Sequence, residues 1–316
     1  MHNTIIIGSG ITGIACGQIL HGRGIAPLIL DKGRVLGGRI ATRRVSLGET
    51  SISFDHGMQY FSPRHSEFRE AIVSAGAVAW ESALQNNCYV SPQGNTTVVG
   101  ALACGLAIKQ KIEVTHLSRQ DDKWLLESTD GCFRAQRLVL TIPAPQALKL
   151  LGDADPLAKD LQRVEMNPCL TLMVAFAKLS ERPFVIRHNI DHALEWIAQD
   201  SNKPERTTDV VTWVAQAGPE FSAAHIEKTP GEIVELMLPL FCEAVGVRPE
   251  LALYAQVHRW RYAQARQPLG VAFLQDAARN LYIGGDWCLG AHAEDGWLSG
   301  QAIAHAIVED THGFNV

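Results

Sequence analysis

The sequence predicts an α/β protein: a doubly wound parallel sheet, discontinuous in the chain, joined to a second α+β part built on an antiparallel sheet. Three observations carry that expectation. Near the N-terminus an apolar run, residues 4–7, leads straight into Gly8-Ser9-Gly10-Ile11-Thr12-Gly13. Near the C-terminus another apolar run, residues 281–283, leads into Gly284-Gly285-Asp286-Trp287, and a last helix is expected to open at Gly296. Between these ends, residues 149–275 show strand-like and helical patterns but no glycine-rich turn. Two strand–turn–helix ends around a patterned middle describe one domain built from both termini with an insertion.

The N-terminal unit is the most specific. Residues 4–7 read as a buried parallel strand. In the complete G-x-G-x-x-G that follows, Gly8 allows the tight turn and Gly10 lets a diphosphate approach the backbone. Gly13 allows close helix–sheet packing. A helix expected over residues 12–24 aims its first N–H groups, around Ile11 and Thr12, at that diphosphate. Residues 28–30 read as the second strand. Asp31 ends it about 20 residues beyond the glycines, where a carboxylate accepts hydrogen bonds from ribose hydroxyls. A tight βα turn that binds nothing would not need that acid. Aspartate suits the unphosphorylated ribose of NAD or FAD better than that of NADP.

Composition excludes several classes. A net charge of -5 and the absence of a basic run argue against a nucleic-acid partner. Seven cysteines without a C-x-x-C, and no Cys/His cluster at zinc spacing, fit reduced thiols in a cytoplasm and no metal site. The apolar N-terminus lacks a basic flank and is broken by glycines, so it does not read as a signal peptide. No stretch reaches the roughly 18 apolar residues of a membrane helix.

Lys32 follows Asp31, and Gly37-Gly38-Arg39 comes soon after. A second glycine pair permits another close backbone approach, and Arg39 is placed to neutralise a diphosphate. Arg43 and Arg44 read as solvated surface residues. The order of G-x-G-x-x-G, acid, Lys and G-G-R resembles the FAD-dependent amine oxidase superfamily; simple NAD dehydrogenases lack the G-G-R. The segment Phe54-Asp55-His56-Gly57-Met58-Gln59-Tyr60-Phe61 resembles the D-x-G-x-Q-Y-F of its renalase branch.

That resemblance implies a glutathione-reductase-like FAD-binding (Rossmann-type) domain and a non-covalent FAD, since the cysteine motif for covalent flavin is absent from GGDWCLGAH. It implies that Gly57, Met58 and Gln59 pass the flavin by backbone, with Gln59 and Tyr60 near its reactive face. Val114 would hold the adenine through its backbone. Gly285 and Asp286 would contact the ribityl or phosphate part. A helix N-terminus at Gly296, Trp297 and Leu298 would face the flavin N1/O2 edge, where a helix dipole stabilises negative charge. Trp287 and Trp297 either wall the flavin or pack in the core. Arg259-Trp260-Arg261-Tyr262, just after His258, resembles an H-x-W-R segment of renalase-like proteins; it either lines the substrate site or is strand packing. His56 departs from the pattern and is placed with the substrate residues.

The remaining expectations are coarser. Helices are expected over 66–78, 98–107 and 232–245. Strands are expected over 112–115, 138–142, 170–177, 210–216 and 252–258, with a hairpin of 124–128 and 132–136 around Asp130-Gly131. The FAD-binding domain is assigned to 1–65, 95–148 and 276–316, and the substrate domain to 66–94 and 149–275. The resemblance implies an FAD-dependent oxidase with a small-molecule substrate and O2. Hydride would pass from a 2- or 6-dihydro isomer of NAD(P) to flavin N5, and reoxidation would give H2O2. An amine or porphyrinogen oxidase, for which Lys178 is the mid-chain lysine to consider, and a non-catalytic flavin-binding redox sensor are the alternatives. No catalytic side chain is identified. His188 and His192 flank a loop rather than share a helix face.

Overall fold

The computed structural model describes residues 2–81, 87–177, 184–190, 193–206 and 209–313. The larger sheet has eight strands. His2–Ile7 runs parallel between Leu28–Asp31 and Gly131–Leu140. Ala107–Gln110 extends the sheet beyond the former and Leu281–Ile283 beyond the latter, both in parallel. The two glycine-bearing ends of the chain thus stand in one sheet. Both faces are covered, which is why residues 5–7, 28–30 and 138–140 of these strands are apolar. Ile6 and Val139 face a core shared with the helices Ile11–Gly22 and Ala293–Gly313. Ile5, Ile7, Leu138 and Leu140 face the other core. The two helices pack on each other through Gly300, where a Cβ would stand 2.2 Å from the Thr12 carbonyl oxygen.

The middle of the chain folds as a five-stranded antiparallel sheet. Its order is Ile186–His188, Leu194–Gln199, Val210–Ala217, Glu165–Ala177, Ala252–Gln267. Side chains alternate across it. Leu170, Leu172, Val174 and Phe176 pack against Ile233, Met237 and Phe241 of the helix Pro230–Val245. Met173, Ala175 and Val214 face Phe54, Trp80 and Val90 instead. The helix is well delimited: Thr229 and Glu232 form a reciprocal capping box, and Gly246 ends it at φ +77°.

Several boundaries differ from expectation. The helix expected over 66–78 stops at Ser74, and Val78–Ala79 pairs with Tyr89–Val90. The helix expected over 98–107 is Thr96–Leu102, and Ala107–Gln110 is a half-polar edge strand whose pattern concealed it. The second hairpin arm and the 138–142 strand are one strand, Gly131–Leu140. The last helix begins at Ala293, a turn before Gly296. The domain division also shifts by packing. Phe68 and Ile72 join the core of Ile14, Val98 and Trp297, so the 66–74 helix sits with the dinucleotide fold rather than with the substrate part. Trp80 and Val90 do pack with the substrate sheet.

Candidate active site

A cleft of about 1400 Å³ runs between the two sheets, larger than the roughly 300–1,000 Å³ of a typical single-ligand pocket. One end is walled by backbone. Gly8 turns the chain at φ +110°, and a Cβ on Gly13 would stand 2.0 Å from the Gly8 oxygen, so Gly13 packs behind the turn. Gly10 has nothing within 4 Å of a Cβ position and opens onto the cleft. The helix behind it carries no side-chain cap and no acid in its first turn, so its leading N–H groups have no side-chain acceptor. Asp31 Oδ2 accepts from Ser9 N at 2.6 Å and Ser9 Oγ at 2.7 Å, and Oδ1 accepts from Gly33 N at 2.6 Å. Three of about four acceptor positions are used, which orients the carboxylate and leaves one toward the cleft side.

The G-G-R and G-D turns meet across this end. Arg39 donates through Nη1 and Nη2 to the two oxygens of Asp286, at 2.8 and 2.6 Å, and to the Ala263 carbonyl at 3.0 Å. Residues 247 apart in sequence are thereby clasped. Gly57 comes so close to this turn that a Cβ would stand 1.9 Å from the Arg39 oxygen. That contact carries Met58 and Gln59 to the cleft wall.

The other end is walled by side chains. Tyr60, Trp196, Trp260 and Tyr262 line it, with Gln216 donating to the Gly57 carbonyl at 2.9 Å. Trp260 Nε1 donates to the His56 carbonyl at 2.9 Å, and its ring is 4.2 Å from that of His258 and 5.4 Å from that of His56. The two histidines stand behind the tryptophan, edge to face at 4.9 Å. Burial, then the neighbouring His258 and Arg43, push His56 down to about 3. Burial, then Arg43 and Arg259, push His258 down to about 4. Both are neutral at neutral pH. Burial pushes the Cys169 thiol at this wall up to about 12, so it is no thiolate nucleophile. Among the described residues the lysines lining the cleft are Lys32, beside Asp31, and Lys149, on the helix Ala144–Leu151 that packs near Val114–Gln120.

A buried charge cluster joins the two ends from beneath. Asp55 Oδ2 is 2.8 Å from Lys203 Nζ and 2.6 Å from Arg206 Nη2, and Lys203 is 2.7 Å from Asp200. Arg206 also pairs with Asp200. Thr42 Oγ1 and Asn95 N donate to Asp55 Oδ1 at 2.6 and 2.9 Å. Burial alone would raise the Asp55 pKa, but Lys203 and Arg206 outweigh it and hold the carboxyl below its usual range. Residues 200–206 of the substrate part are thus tied to the hairpin of Thr42–Leu47 and Thr50–Asp55.

Comparison with known proteins decides the family. A model described as flavin containing amine oxidoreductase matches residues 82–308, and one described as NAD(P)-binding Rossmann-like domain matches residues 6–73. The chain belongs to the flavin-containing amine oxidoreductase family. Renalase from Mus musculus is 27% identical over 294 residues, covering 84% of this chain and 85% of that protein. A proposed protoporphyrinogen oxidase from Exiguobacterium shares the fold at a TM-score of 0.77 and 13% identity, over 97% of this chain and 98% of that one. Cyclohexylamine oxidase from Brevibacterium oxydans does so at 0.74 and 15%, over 98% and 99%.

This family member is therefore a renalase-like, FAD-dependent oxidoreductase. The geometry fits the cofactor: an open glycine backbone, an uncapped helix N-terminus, an oriented Asp31 and an arginine lie along one wall. Gly8, Gly10, Ile11, Thr12, Asp31, Lys32, Gly38, Arg39, Gly57, Met58, Gln59, Val114, Gly285 and Asp286 all line the cleft, as do Tyr60, Trp260 and Trp287. Gly13 supports the turn from behind. His56 is screened from the cleft by Trp260. Gly296, Trp297 and Leu298 do not line it either. Because the helix starts at Ala293, they lie in its body; a Cβ on Gly296 would stand 2.8 Å from Thr12 Oγ1, and Trp297 packs on Phe68. Ala291, His292 and Ala293 meet the cleft in their place. Arg39 and Asp286, expected to meet the cofactor singly, pair with each other. Lys178 and His192 lie outside the described residues. Sequence reasoning missed Ser9 and the Asp200–Lys203–Arg206 cluster; Ser9 sits inside the glycine motif, whereas the cluster carries no local signal. No group of metal-ligating side chains and no helix long and apolar enough to cross a membrane occurs among the described residues.

Proposed function

We propose that this flavoenzyme oxidises a 2- or 6-dihydro isomer of NAD(P), passing the electrons to O2 to give H2O2. The observation that supports this reading is the chemistry of the substrate wall. Tyr60, Trp260 and Tyr262 offer aromatic surfaces, the histidines behind them are neutral, and neither described lysine of the cleft stands there. When bound, FAD supplies the hydride acceptor that O2 later reoxidises. A dihydropyridine already carries a donatable hydride, so the chain need only stack, orient and desolvate it. An amine arrives as an ammonium ion and must first lose a proton, and His56 and His258 behind this wall, held well below the usual imidazole range, are poor acceptors for it. The likeness to renalase supports the same choice.

In this reading Gly10, Ile11, Thr12, Gly38 and Arg39 hold the non-covalent cofactor's diphosphate. Asp31 holds its adenosine ribose, the Val114 backbone its adenine, and Gly285 with Asp286 its ribityl end. Gln59, Tyr60 and Trp260 position the substrate ring. The test is peroxide formation by FAD-loaded protein supplied with 2-, 4- and 6-dihydro-NAD, cyclohexylamine, putrescine or a porphyrinogen. Turnover of the 2- or 6-isomer well above that of the 4-isomer and the amines is expected. Turnover of an amine or porphyrinogen with none of any dihydro isomer would overturn the reading.

A further inference from the structure

We propose that Arg259 and Arg261 form a phosphate-binding subsite at the substrate mouth of the cleft; this rests on the reading of the substrate as a reduced pyridine nucleotide. Both residues line the cleft. Both project from Ala252–Gln267, the edge strand of the substrate sheet. They flank Trp260 and, by strand alternation, leave from the opposite face of that strand. Two positions along a strand span roughly 6.6 Å, a separation that lets one guanidinium serve each phosphate of a diphosphate.

The two arginines are held differently. Arg259 Nη1 donates to the carbonyls of Ile226 and Lys228 at 3.3 and 2.9 Å. It has no ion-pair partner among the described residues. Neutral carbonyls fix the guanidinium, Glu227 between them shares its field without pairing with it, and the Nε and Nη2 donors have no protein acceptor among those residues. That is a pre-oriented fork for an oxyanion. Arg261 pairs with Glu227, Nη2 to Oε2 at 2.8 Å, with the side chains 50% and 74% exposed. An exposed pair of this kind contributes little, so an incoming anion competes with Glu227 at small cost. The cofactor's own diphosphate is served at the opposite end, by the helix N-terminus and Arg39. A flat ring against Trp260 with its phosphates on Arg259 and Arg261 uses the part of the cleft that one dinucleotide leaves over. The same cations disfavour a diammonium substrate at this mouth.

Calorimetric titration of the FAD-loaded protein with ADP-ribose tests the subsite, because ADP-ribose carries both phosphates and cannot reduce flavin. We expect Arg259→Gln to weaken binding about tenfold or more, as loss of a charge-assisted contact does, and Arg259→Lys to restore only part of it. Arg261→Gln should cost less, since Glu227 already shares its charge. Nicotinamide riboside, which has no phosphate, should bind all of these proteins equally, and an unchanged flavin spectrum and melting temperature would establish that each variant is folded and loaded. Unaltered ADP-ribose affinity in both glutamine variants, or no binding by the parent protein, would overturn the proposal. Arginine-dependent binding of a porphyrin tetracarboxylate without ADP-ribose binding would also overturn it, in favour of carboxylates. Arginine-dependent ADP-ribose binding by a protein that no dihydronicotinamide reduces would leave the subsite standing and defeat only the substrate reading.

Discussion

The two ends of the cleft are built on opposite principles. The cofactor end is backbone: Gly8, Gly10, Gly38 and Gly57 are there because a side chain would fill the cleft, strain the turn or strike the neighbouring strand. The substrate end is side chain: Tyr60 projects from a loop, and Trp196, Trp260 and Tyr262 project from antiparallel strands whose register shifts beside them. A backbone-built end tolerates few substitutions and binds one shape. A side-chain-built end can be re-lined without disturbing the sheet.

The contrast can be broken most severely from beneath. Lys203→Met leaves Asp55 and Asp200 with one cation between them, and removing one partner from a buried ion pair costs roughly 3–5 kcal/mol. Denaturant unfolding should show a loss of that order; a loss under about 1 kcal/mol would mean the cluster does not join the two ends. Gly10→Ala isolates the backbone-built end. Nothing lies within 4 Å of the new methyl, so the apoprotein should keep its stability while the methyl intrudes on the cofactor. An overpacking cost of roughly 1–3 kcal/mol predicts FAD dissociation constants raised about five- to more than a hundredfold. Unchanged FAD affinity would remove the diphosphate from this turn. The smallest effect concerns the wall behind Trp260. His56 is depressed to about 3, so below pH 6.5 the unfolded chain binds a proton that the folded chain refuses. Its contribution is complete above pH 6.5 and is lost as pH falls toward 3, by about 1.4 kcal/mol one unit below 6.5. Unfolding free energy should therefore drop between pH 7 and 5, and His56→Phe should flatten that slope; parallel slopes would show that His56 is solvated.

What the sequence revealed follows the same division. The cofactor end was legible because its constraints are short-range: Gly8 to Gly13 and Asp31 lie in one βα unit, and Gly38-Arg39 follows at once. The substrate end depends on register between distant strands. Trp260 stands beside Cys169 only through the pairing of Glu165–Ala177 with Ala252–Gln267, which contains three irregularities. Nothing local in Asp200, Lys203 or Arg206 marks them as buried partners of Asp55. The last helix starts a turn before Gly296. Glu294 and Asp295, acids suited to a first helical turn, were the signal for the earlier start. Gly296 is a packing glycine against Thr12.

The central claim is that the aromatic end of this cleft presents a dihydropyridine to a bound flavin. The most direct test mixes the FAD-loaded protein anaerobically with each dihydro-NAD isomer and follows the flavin's visible absorbance. Rapid bleaching by the 2- or 6-isomer, slow or no bleaching by the 4-isomer, and return of colour on admitting air are the predicted result. A flavin that stays oxidised with all three isomers, while an amine or a porphyrinogen bleaches it, would contradict the account.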